Sequence, residues 1–244
     1  MVFGRGEVLA ALTAEAGALE GVLSRLSEAE AVVSTRCEPW DVAALAVHTV
    51  GALTRVEAML DEVPPGPEVD PGTGLVSAAG YYAPDVRFSP RVNGERVRSA
   101  VEAAARRADA AEPGRVLRER WAALGPRLAA EDGARRVVTR HGDPMLLTDF
   151  LVTRVVELVL HGWDLADALG REPWTSAEAL GLVVRLVFEG ADRGAVERVF
   201  PGVWAGGAAS EAAVRAVTGR SPAGSGGEAR AALESAGVRF LALG

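Results

Sequence analysis

Apolar residues recur at helical spacing along most of the chain. From Gly6 to Ala31, Val8, Leu9, Leu12, Leu19, Leu23 and Leu26 form one stripe, which predicts an amphipathic packing helix. Pro39 breaks the chain and Asp41, a good N-cap, restarts it; Leu45, Ala52, Val56 and Met59 carry the stripe of a second helix to Leu60. Trp40, just before the cap, is placed to staple onto Leu45 or to line a pocket. Further helices are predicted over Asn93 to Ala111, Pro113 to about Glu131, Asp143 to Gly170, Thr175 to about Glu189, Ser210 to Thr218 and Gly227 to Ala236. Pro113 suits a first helical position, Gly170 a C-cap, and Thr175 with Glu178 a capping box. Arg135 to Arg140 reads as extended, and Val238 to Leu243 as a terminal strand.

This is the pattern of a mainly α protein: a bundle over residues 1–190, then a small C-terminal helical extension over 191–244, richer in Gly, Ala and Ser. Val63 to Gly94, dense in Pro and Gly, cannot be one regular element. It follows the helix of His48 and carries Leu75, Val76, Tyr81, Tyr82 and Phe88, so it reads either as a lid over a site or as a surface excursion that patches the bundle.

In Thr148 to Gly170, TDFLVTRVVELVLHGWDLADALG, polar residues interrupt a strongly apolar helix. Glu157 and His161, four apart, share a face with Leu147, Phe150, Leu151, Leu158, Leu165 and Ala168, so both should point inward. A buried carboxylate needs a partner, and Arg154, Asp164 or a metal ion would serve. Of the chain's three histidines, His48 is the best third ligand, because it faces a core on its own helix. Two imidazoles and one carboxylate leave a position open, as in catalytic zinc sites and the facial triad of non-haem iron enzymes. Glu157 and His161 could equally pair with each other, and His48 could be a core histidine. His141, in the turn HGDP, is too far from Glu157 to share its helical face; a substrate or solvent role is open to it.

Composition narrows the classes. A hydrophobic fraction of 49% with only 5% aromatics favours helices. A net charge of -7 argues against a nucleic-acid binder. Arg carries all the side-chain basic charge, since Lys is absent, which reads as a coding bias rather than a binding function. The single Cys37 excludes an internal disulfide and a cysteine zinc cluster; no base is evident near it, so it reads as inert. No signal peptide and no segment long and apolar enough to span a bilayer are evident, which predicts a cytoplasmic protein without a membrane partner.

CEPWDVAALAVHTVGAL, from Cys37, resembles the N-terminal signature of the mycothiol-dependent maleylpyruvate isomerase family, within the DinB-like metal-binding bundles. TRVVELVLHGWDLADALGR, from Thr153, resembles the second signature, and AAVRAVTGRSP, from Ala212, a short C-terminal motif of many relatives; similarity spans roughly residues 5 to 222. The resemblance implies a DinB-like four-helix bundle in which His48, Glu157 and His161 bind a divalent metal, usually zinc. The isomerase type has a C-terminal domain with sheet structure, whereas the segment after Gly190 here is short and mostly helical by pattern.

The function expected from these residues is metal-assisted use of a low-molecular-weight thiol such as mycothiol. The ion would lower the thiol's pKa, and the thiolate would add to an electrophilic small molecule, giving isomerisation or S-transfer. The candidate catalytic residues are Arg154, which would orient Glu157 or meet a substrate carboxylate, and Asp164, which would fix an imidazole tautomer. Both could instead form a salt bridge with each other. A thiol-independent hydrolase or cyclase and a non-catalytic metal-stabilised binding bundle are the alternatives. The oligomeric state is open.

Overall fold

The computed structural model describes residues 2–62, 74–82, 90–139, 142–221 and 227–241. His141, Phe88 and the last residues of the expected terminal strand lie outside them, as does most of the expected lid.

The fold is mainly α and DinB-like. Its bundle helices are α1 (Arg5–Leu23), α3 (Val42–Asp61), α5 (Glu112–Ala130) and α6 (Leu147–Leu169). They close a ring in which α1 packs on α5 and α6, and α3 packs on the same two from the other side. The leucine stripes expected for α1 and α5 meet here, with Leu12, Leu19, Leu23, Leu117, Leu124 and Leu128 fully buried. Gly114 lets α5 come close to the end of α1: a Cβ there would collide with the Ser24 backbone nitrogen. α6 is buried on almost every side and is the centre of the molecule.

Several elements differ from the sequence pattern for local reasons. The first helix stops at Leu23, and a separate turn of helix, α2 (Glu28–Ala31), starts at Ser27 with a reciprocal capping box to Glu30. α4 (Pro90–Ala105), lying outside α3, begins at Pro90, a residue suited to a first turn. Pro144 does not start α6: Pro144–Leu146 is a strand, β2, paired antiparallel with β1 (Arg136–Val138), and the helix begins at Leu147. Arg135, at the mouth of this hairpin, donates from Nη2 to the carbonyls of Met59, Leu60 and Glu62, each at 3.1 Å. Among the described residues these carbonyls at the end of α3 have no helical partner, and the bonds fix α3 against the start of α6.

After α6, Gly170 takes the left-handed C-cap conformation at φ 62°. α7 (Ala177–Val187) packs on α1 and α6. Its cap is Ser176, not Thr175, whose hydroxyl instead accepts from Trp163 Nε1 at 2.8 Å. The carboxylate of this cap comes from another helix: buried Glu15 accepts from both the backbone nitrogen and the hydroxyl of Ser176, each at 2.8 Å. Beyond it lie α8 (Arg193–Val199), α9 (Gly207–Val217) and α10 (Gly227–Ser235); α9 packs on α7, and α10 on α8. Arg215 of α9 reaches back to Asp167 of α6 with bonds of 2.8 and 3.2 Å. Residues 238–241 form no strand; Val238 instead closes the turn after α10 through a bond to Leu233.

By length and composition, α3 could cross a membrane, with a mean hydropathy of 1.2. The sequence pattern predicts no such segment. In the fold, 61% of that window is buried inside the protein.

Candidate metal centre

α3 and α6 pack together, and that contact brings His48 to Glu157 and His161. His161 Nε2 lies 3.4 Å from Glu157 Oε2, and His48 Nε2 lies 4.0 Å from the same oxygen. The two imidazoles meet edge to face, with centroids 5.2 Å apart. One ligand atom from each of the three residues falls within 4.8 Å of the others. Two donors on a tetrahedral zinc are separated by about 3.3 Å, given bonds of ~2.0–2.1 Å. The donor set and its spacing therefore fit a divalent ion.

The remaining expected residues stand around this group. Asp164, completely buried one turn beyond His161, faces His161 Nδ1 across 3.1 Å, which leaves Nε2 toward Glu157 and His48. Arg154 is buried with a guanidinium nitrogen 4.0 Å from Glu157 Oε1. It donates to the Tyr81 hydroxyl at 3.3 Å and to Thr153 Oγ1 at 3.0 and 3.1 Å, and lies over the Phe150 ring at 4.6 Å. Arg154 and Asp164 do not pair with each other. The cation for Asp164 is Arg220, which donates from Nε at 2.9 Å and from Nη2 at 2.8 Å.

Two of these groups were missed as partners. Arg220 comes from the AAVRAVTGRSP motif, 56 residues beyond Asp164, and the motif was the only sequence signal for it. Cys37 is not remote from a base, as the loop pattern suggested: its Sγ donates to Asp164 Oδ2 at 3.3 Å and lies within 4.8 Å of a His161 ring nitrogen. The sequence separation of 127 residues hid that contact. Of the expected lid, Tyr81 and Tyr82 are buried against α6, where the Tyr82 hydroxyl donates to the Thr153 carbonyl at 3.0 Å.

Burial and charge set the protonation of the metal-free centre. Desolvation, reinforced by the neighbouring His161 charge, lowers the His48 pKa to about 3, so this imidazole is neutral and its lone pair is available. Burial opposes charge on His161 as well, but bonds to Asp164, Cys37 and Glu157 outweigh it and raise its pKa well above the ordinary value. Burial likewise opposes charge on Glu157 and Asp164. His161 and Arg154 nonetheless hold Glu157 well below the carboxylate range, and His161 and Arg220 do the same for Asp164.

The signs of these shifts define a pH window. The depressed Asp164 contributes stability present above an unfolded value of about 4 and lost as pH falls through the folded one. The raised His161 contributes stability present below about 6.5 and lost as pH rises through its folded value. In chelator-treated protein, the stability gap between wild type and Asp164→Asn should therefore be widest between pH ~4 and ~6.5 and should shrink in stronger acid. Urea denaturation across that range checks it; a gap independent of pH would contradict the proposed ionic pairing.

The Mycothiol maleylpyruvate isomerase N-terminal domain matches residues 12–166. No curated protein and no solved structure matches the chain. The matched region runs from α1 to near the end of α6 and includes His48, Glu157, His161 and Asp164, while Arg220 lies beyond it. With a match over more than half its length that contains all three prospective metal ligands, the chain belongs to the mycothiol maleylpyruvate isomerase N-terminal domain family.

Proposed function

We propose that the protein is a divalent-metal-dependent enzyme that uses a low-molecular-weight, mycothiol-like thiol to act on an electrophilic small molecule, giving isomerisation or S-transfer. The observation that carries this reading is the convergence of His48, Glu157 and His161, with His161 oriented by a carboxylate that is itself neutralised by Arg220. A divalent ion held by these three residues, zinc in this reading, would act as a Lewis acid and lower the pKa of a thiol at the open position.

The chain's own groups supply orientation and charge. Arg154 carries a guanidinium in a desolvated setting beside Glu157, suited to a substrate carboxylate. Asp164 fixes the tautomer of His161. The Tyr81 and Phe150 rings flank Arg154 and restrict its movement. In the reaction, sulfur bonds to an alkene carbon conjugated to a carbonyl, and the displaced pair moves onto the carbonyl oxygen. Rotation about the former double bond, followed by collapse of the enolate and expulsion of the thiolate, gives the isomer; protonation of the enolate carbon next to the carbonyl gives the conjugate. A reducing cytoplasmic setting suits a free thiol.

The test is consumption of a conjugated cis-enone acid such as maleylpyruvate by zinc-loaded protein, with and without mycothiol. Turnover that requires both metal and thiol is expected. Turnover with metal alone would replace this reading with hydrolysis or cyclisation, and tight binding without turnover of any such compound would leave a binding bundle.

A further inference from the structure

The two imidazoles of the centre are supported by different means. His161 is fixed on Nδ1 by Asp164. Among the described residues, no hydrogen bond holds the second ring nitrogen of His48. Its imidazole leans on the indole of Trp40, with centroids 4.5 Å apart and planes inclined by 31°. The same indole stands edge-on to His161 at 6.5 Å.

Trp40 is itself pinned. It is 5% exposed. Its backbone nitrogen donates to the Cys37 carbonyl at 3.0 Å, and its carbonyl accepts from the nitrogen and hydroxyl of Thr35 at 3.2 and 2.8 Å. Its indole Nε1 donates to the Val97 carbonyl of α4 at 3.4 Å. The terminal torsion of a histidine is broad and roughly two-fold, so an unsupported imidazole readily turns its nitrogens away from a ligand position. Turning the His48 ring would break its face contact with a wall that cannot follow.

We propose that Trp40 is a positioning residue of the metal centre: its indole holds the His48 ring with Nε2 toward Glu157 and His161. It does by ring contact what Asp164 does for His161 by a hydrogen bond. The role rests on the metal-centre reading above and concerns the α3 ligand alone.

Trp40→Leu removes the aromatic wall, and Trp40→Phe keeps one. Zinc affinity is measured by chelator competition, with circular dichroism to establish that each variant is helical. The ring protons of His48 are followed by NMR in zinc-free protein. Loss of an outer partner of a metal ligand costs about 10–100-fold in affinity, so the Leu variant should bind zinc at least about tenfold more weakly. The Phe variant should stay within about threefold of wild type, because the wall is retained. In zinc-free wild type the His48 protons should be shifted upfield by the indole, and the shift should vanish in the Leu variant. Equal zinc affinity in all three proteins, or unshifted His48 protons in the wild type, would overturn the assignment. Wild type that takes up no zinc but shows the ring shift would remove the metal centre and the proposed role with it, while leaving the ring contact intact.

Discussion

His161→Ala is expected to lose bound metal while keeping its helical fold. Purified beside the wild type after growth with added zinc, the variant should contain none by elemental analysis, against one equivalent per chain in the wild type. The loss should be large because a ligand and the endpoint of its support disappear together: Asp164 would orient nothing. Since removing only an outer partner costs about 10–100-fold, removing the ligand should cost on the order of a hundredfold or more. The fold should survive because alanine favours a helix and the surrounding apolar contacts of α6 are untouched. Zinc retained at one equivalent would remove His161 from the proposed ligand set.

Arg220→Ala should show the opposite profile, with a large loss of stability. Arg220 and Asp164 are both buried, and two hydrogen bonds join them. Truncating one member of such a pair leaves the other charge stranded and typically costs about 3–5 kcal/mol. Here His161, 3.1 Å from Asp164, and the half-exposed Arg36, 3.7 Å away, can recover only part of it. Chemical denaturation of wild type, Arg220→Ala, Asp164→Leu and the double variant checks the argument as a cycle. The double variant should be more stable than Arg220→Ala, because no carboxylate is then buried without its cation. A loss in the double variant equal to the sum of the two single losses would show that the two groups are not coupled.

How far the chain could be read from its pattern depended on the range of the interaction. Helical stripes are local, so the four bundle helices and the inward direction of Glu157, His161 and His48 were legible. Asp164 was legible as well, because a residue three positions beyond His161 lies on the same helical face. What the pattern could not supply were contacts between distant segments: Cys37 and Arg220 reach Asp164 from opposite sides along the chain. The strand at Pro144–Leu146 was hidden because Asp followed by Pro looks like a helix start, and its partner decides otherwise. Glu15 left a legible trace, standing on the same stripe as Val8, Leu12 and Leu19 where an exposed charge would not belong. Its partner, Ser176, lies 161 residues away and could not be read.

The pairing of Asp164 with Arg220 also has a temporal side. A ribosome makes the three prospective ligands long before residue 220. As the nascent chain lengthens, the bundle and its donors can assemble while Asp164 is still without its main cation. Arg220 follows α9, so the support that Asp164 gives His161 is completed only once the chain has been made past that helix.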